Sequence, residues 1–242
     1  MNNTFDFKRF GQVLAKDWKN YFRNFGISLI VWCSIPVLFW IATLVLDFEI
    51  ENGVRTAIIG SLVFSALIFV PSKVYGKANL SRDGVGFAML PATSLEKFLS
   101  MFLYCSVLTP LIVGLGSWAV DSLLYLLPFG GFTYFFVVLP QHKLGLILIF
   151  LACAGLLCSS IFVFGNMVFK KRKAGKTIAW GILIVFVFAM VVQIFHGWEA
   201  FARWEYSLED QTILPWLNDI VMFIGAVVFY CLTYRKLKIQ KY

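Results

Sequence analysis

"KKRKAGK", residues 170–176, decides how this chain is threaded. It packs five positive charges between two apolar runs, Leu144–Phe169 and Ile178–Phe195. Lys and Arg beside a membrane-spanning helix stay on the cytoplasmic side. The helices on either side must therefore form a hairpin that closes inside the cell. The competing stretch is "SLLYLLPFGGFTYFFVVLP", residues 122–140, which is apolar and long enough to cross. A crossing there would move residues 170–176 outside. Gly130, Gly131 and the flanking prolines also break a continuous helix. The stretch is therefore expected to lie in the outer interface or to dip in and return, and its aromatic residues suit that depth.

Working outward, six apolar segments emerge: Ile27–Leu46, Thr56–Val70, Phe98–Val120, Leu144–Phe169, Ile178–Phe195 and Leu217–Tyr234. With the N-terminus inside, eighteen of the 21 Lys and Arg fall on cytoplasmic segments. Only Arg55, Lys143 and Arg203 fall outside. Composition agrees. The 242 residues are 60% hydrophobic and 14% charged, with 26 Phe and 8 Trp, whereas soluble domains are roughly 45–50% apolar and about 25% charged. The expected fold class is all-α: one polytopic membrane domain over 1–242, six transmembrane helices, and both termini cytoplasmic. No signal peptide is expected, because no small-residue cleavage site follows the first apolar run.

The segment before the first span has apolar residues at Phe7, Phe10, Leu14, Trp18, Tyr21 and Phe25. Their steps of three and four define one helix face. Lys8, Arg9, Lys16, Lys19 and Arg23 occupy the other. A basic amphipathic helix with aromatic anchors lies in the headgroup plane. Residues 1–25 are thus expected to form an interfacial helix anchored to the bilayer by those six side chains.

Several chemistries find no support in the residues. "RKAGKT" ends like a phosphate-binding loop, but the pattern needs Gly where Lys170 stands, with a strand ahead of it. His142 and His196 are the only histidines and lie far apart in outer loops. The five cysteines sit in apolar runs without CxxC spacing and read as small apolar side chains. No metal site, cofactor, nucleic-acid partner or enzymatic constellation is expected. The spans hold almost no ionisable residue, which disfavours proton- or cation-driven transport. Any transport would draw its energy from a partner.

"SRDGVGFAMLPATSLEKFLS", residues 81–100, lies in the expected cytoplasmic loop 73–97 between the second and third spans. Thr93 with Glu96 is a capping box, so a helix starts there. Pro91 ends whatever precedes it. Between Gly84 and Pro91, a turn presents Val85, Phe87, Met89 and Leu90 beside Arg82 and Asp83. Such a turn fits docking into a groove of a soluble partner, or dipping into the interface.

In layout the chain resembles the ABC-2 type exporter permeases. The shared features are six spans, an N-terminal elbow helix, a short helix in the first cytoplasmic loop and an outer segment, here 196–216, before the last span. The order Arg82-Asp83, Met89-Leu90, Pro91, Glu96 is similar to that family's coupling region, although its Gly-Thr is replaced by Gly86-Phe87. The block "LPATSLEKF" resembles one carried by small uncharacterised bacterial permease-like membrane proteins. The resemblance implies a bacterial inner-membrane permease subunit that works as a homodimer or with a second permease. A separate cytoplasmic ATPase would bind at Arg82, Asp83, Phe87, Met89 and Leu90. The alternative is a non-transporting membrane scaffold or sensor that recruits a cytoplasmic partner through the same surface.

Overall fold

The computed structural model describes residues 5–46, 50–76, 78, 87, 89–127, 144–183 and 214–239. Most of these residues are helical, with no strand among them. Helix α1 spans Phe7–Leu46, α2 Asn52–Val74 and α3 Ser94–Phe102. A π-helical turn over Leu103–Leu108 joins α3 to α4, Thr109–Tyr125. Then come α5, Leu144–Val168, α6, whose described part is 173–183, and α7, Leu214–Ile239. Among the described residues five helices are long and apolar enough to cross a membrane, counting α3 to α4 as one. The sixth expected span, 178–195, lies mostly outside the described residues, as do 128–143 and 184–213, which include most of the two expected outer segments.

Helix α1 corrects one expectation. The N-terminal segment is continuous with the first span, because α1 runs unbroken for 40 residues. At about 1.5 Å per residue it is roughly 60 Å long, twice the ~30 Å of a bilayer's hydrocarbon core. Its buried stripe is Val13, Asp17, Tyr21, Phe25 and Leu29, one residue in every four. Tyr21 and Phe25 are fully buried. They are core residues and not membrane anchors, and Leu14 packs against the same core. Phe10 is half-buried. Phe7 and Trp18 alone of the six expected anchors are exposed.

The core clusters toward one end of the bundle. Tyr21, Phe25 and Leu29 meet Ala66 and Val70 of α2, Met101, Tyr104 and Cys105 around the π turn, and Val163 and Met167 of α5. Leu237 near the end of α7 joins them. The basic segments 8–23, 170–176 and 235–238 therefore gather at this one end, hereafter the basic end. The outward faces of the helices stay apolar: Ile30, Leu38, Leu115, Ile182 and Val221 are all more than half exposed. This is the surface of a multi-pass membrane protein, whose lipid-facing side chains need no protein cover.

Among the described residues, helices α5 and α7 make the most extensive interface. Small residues permit it: a side chain at Gly225 would press on Leu157, and close approach of backbones drives packing in lipid. At the opposite end from the basic segments, Arg55 at the start of α2 donates to Asp121 near the end of α4. The guanidinium–carboxylate distances are 3.2 and 2.5 Å, and both side chains are buried. This pair holds α2 and α4 in antiparallel register.

Candidate functional site

The basic end contains a buried polar junction. Its centre is Asp17, one of the five stripe residues of α1. Its carboxylate accepts hydrogen bonds from the Tyr75 hydroxyl at 3.0 Å and the Ser100 hydroxyl at 2.5 Å. Burial, reinforced by the neighbouring Asp17, pushes the Tyr75 phenol well above its usual range, so it stays protonated and able to donate. Tyr104 adds a bond from its hydroxyl to the Leu14 carbonyl, 2.8 Å.

The end of α2 supplies the other half. A helix leaves its last carbonyls without partners. Here the Asn166 amide of α5 donates to the Tyr75 carbonyl at 3.1 Å, and the Lys173 ammonium donates to the Gly76 carbonyl at 2.5 Å. A cation also suits the negative end of a helix dipole. Burial lowers the Lys173 pKa to about 8. Arg172, with φ of 49°, turns the chain so that Lys173 points back into the bundle. The charge cluster at 170–176 is therefore not wholly a solvated face: Lys173 is buried and functions as a tie.

Glu96 forms a second tie. The capping box with Thr93 is present as expected, with Thr93 N–H donating to Glu96 at 2.9 Å. The same carboxylate accepts from the Arg9 guanidinium at 2.6–3.1 Å and from the Asp6 backbone at 3.1 Å. The start of α1 is thereby locked to the start of α3. The junction as a whole joins α1, α2, α3, α5 and α6.

The expected docking residues divide around this junction. Arg82 and Asp83 lie outside the described residues. Phe87 is half-buried and faces inward: its ring stacks edge-on against Tyr75, centroids 6.4 Å apart, and the Lys97 ammonium lies 5.4 Å from its centroid. It packs against the core. Leu90 is half-buried, and Met89 is 78% exposed.

Further along α3–α4 the π turn opens onto a cleft. Pro110 has no N–H, and its ring cannot sit over the fourth carbonyl back in a regular helix. A widened turn relieves that clash. The Thr109 N–H bonds the Tyr104 carbonyl across it, and the Thr109 hydroxyl does the same at 2.7 Å. Ser106, carried by this turn, meets Ser159 of α5 at 3.0 Å and Tyr230 of α7 at 2.5 Å, with Ser159 and Tyr230 2.6 Å apart. Ser106 also touches a cleft of about 670 Å³ between α2, α4 and α5, walled by Ile59, Val63, Leu111, Trp118 and Leu151. That volume lies within the range of small-molecule sites, roughly 300–1,000 Å³. The lining is apolar apart from hydroxyl groups, so it suits hydrocarbon and offers no ionic anchor.

Sequence reasoning missed Asp17, Tyr75, Ser100, Asn166 and the Ser106–Ser159–Tyr230 cluster. One signal was present: Asp17 stands at the four-residue spacing of Val13, Tyr21, Phe25 and Leu29. Among the described residues no three His, Cys, Asp or Glu side chains converge on a metal-sized site. Compared with known proteins, the chain matches no protein-family model, no curated protein and no solved structure.

Proposed function

We propose that the basic end faces the cytoplasm and that the chain is the membrane-spanning subunit of an ABC-2-like transporter. It would work as a dimer in a bacterial inner membrane, driven by a separate ATPase. The observation that carries this reading is the seat of Phe87. It rests on Tyr75, and Tyr75 bonds Asp17 of α1 through its hydroxyl and Asn166 of α5 through its carbonyl. A displacement of this loop is felt by α1, α2, α3 and α5 together. Packed polar networks with few alternative arrangements carry such a movement between helices. Ser100 lies six residues before Ser106, so the same junction leads along one helix to the apolar cleft. An apolar or amphipathic substrate would enter there.

Met89 is then the docking anchor and Phe87 the lever. Truncating a buried interface anchor costs about 1–4 kcal/mol. Met89→Ala with Leu90→Ala should release the ATPase. Phe87→Ala should leave it bound but uncouple its hydrolysis from transport. The experiment is co-purification from membranes at matched expression, with mass-spectrometric identification of any subunit carrying a complete phosphate-binding loop. Recovery of no such ATPase with the wild-type chain would overturn the transporter reading in favour of a scaffold.

A further inference from the structure

A second groove lies at the basic end, on the outer side of α1 and α2. It measures about 260 Å³. Ile27, Val31 and Trp32 of α1 and Phe69 of α2 form its walls, and Ser28 and Lys73 are its polar members. Trp32 and Phe69 stand 6.1 Å apart, with Phe25 behind Trp32 at 5.2 Å. Ile27 is 80% exposed and Val31 54%. Lys73 occupies the last turn of α2 and is exposed. Neither ion pair among the described residues, Arg9–Glu96 or Arg55–Asp121, involves it. Arg23, also exposed, lies one helical turn before Ile27 on the same face and uses one nitrogen on Asn20 at 3.1 Å.

The arrangement has the order of a phospholipid: cations where the helices leave the apolar layer, then a hydrocarbon wall one to two turns deep. Basic pockets between helices at a membrane face bind anionic headgroups. A second copy of this chain is a poorer occupant. Its own basic end would bring like charge to like, because Asp17 and Glu96 at that end are turned inward. We propose that this groove binds an anionic phospholipid, with its acyl chain along Ile27, Val31 and Phe69 and its phosphate on Lys73. The proposal stands apart from the transporter reading and holds equally for a scaffold.

Trp32 provides the readout. Full-length protein in neutral detergent is titrated with dibrominated phosphatidylglycerol, which quenches indoles in contact with its acyl chain. Saturable quenching is expected in the wild type and should lose one component in Trp32→Phe. Lys73→Gln should raise the half-saturating concentration about fivefold, the worth of one basic residue at a membrane surface, and Lys73→Arg should restore it. Dibrominated phosphatidylcholine should quench more weakly, and inorganic phosphate at equal concentration should not compete. Equal quenching by the two lipids, with no shift in Lys73→Gln, would overturn the proposal. Competition by inorganic phosphate would reassign the site to a free anion. Spontaneous Ile27→Cys cross-linking between copies would reassign the groove to a dimer.

Discussion

Removing one partner of the Arg55–Asp121 pair should destabilise the bundle more than any other single charge change. Both side chains are almost wholly buried, 1% and 4% exposed. The gap beside them, walled by Pro36, Ile50, Ile58 and Ile59, is about 10 Å³. That is about the ~10–15 Å³ that a single water needs, so bulk solvent cannot replace a lost partner. Arg55→Met leaves the Asp121 carboxylate buried without its counter-charge. Breaking a buried pair in this way costs about 3–5 kcal/mol. For a chain of this size each kcal/mol moves the midpoint by roughly 2–4 °C, so a fall of about 6–20 °C is expected. The paired replacement Arg55→Met with Asp121→Leu removes both charges, and apolar pairs of similar volume often replace buried ion pairs at little cost. It should therefore be more stable than either single variant. The assay is thermal unfolding in one detergent, followed by monodispersity on size exclusion, for the wild type, both singles and the double. Losses below about 3 °C for the singles, or a double variant equal to their sum, would refute the argument that the pair is buried and coupled.

Asp17→Ala strands the Tyr75 and Ser100 hydroxyls in the junction, at about 1–3 kcal/mol; Asp17→Asn keeps an acceptor oxygen and should lose less by the same thermal assay. Gly165→Ala places a methyl into Thr177, whose Cβ and both branches lie within overlap distance, for about 1–3 kcal/mol; Thr177→Ala removes two of those three atoms and should restore most of the loss. For orientation, single cysteines at Glu51 and Lys171, both exposed, in a background with the five native cysteines changed to alanine, should differ: an impermeant thiol reagent labels position 51 in sealed cells and leaves 171 untouched. Labelling at 171 would reverse the proposed orientation.

Much of the candidate site was legible only in fragments. The capping box of Thr93 and Glu96 is visible because its partners stand three residues apart, within one helical turn. That Glu96 also holds Arg9 is not visible, since the two are 87 positions apart. The expected anchor face of the N-terminal segment followed the large apolar side chains, Phe7, Phe10, Leu14, Trp18, Tyr21 and Phe25. It shares Tyr21 and Phe25 with the core face, which before them runs one residue aside, through Val13 and Asp17. Periodicity weighs hydrophobicity, and a buried carboxylate counts against the face it belongs to. The turn around Phe87 fits both docking on a partner and dipping into the interface; that its ring packs on Tyr75 depends on how the loop folds back on α2.

The sequence by itself determined the class of molecule, the approximate limits of four membrane-length helices, the end of the first, and the charge asymmetry between the loops. Each depends on neighbours along the chain: twenty apolar residues in a row, or several lysines together, carry their meaning locally. Only the tertiary structure decided that the N-terminal segment continues the first span as one helix. It also decided that Asp17 and Lys173 face inward, and that Arg55 and Asp121 are a pair. Those features rest on which helix lies beside which. A polar side chain in an apolar bundle is affordable only where a particular partner from a distant part of the chain meets it, and local pattern carries no record of that meeting.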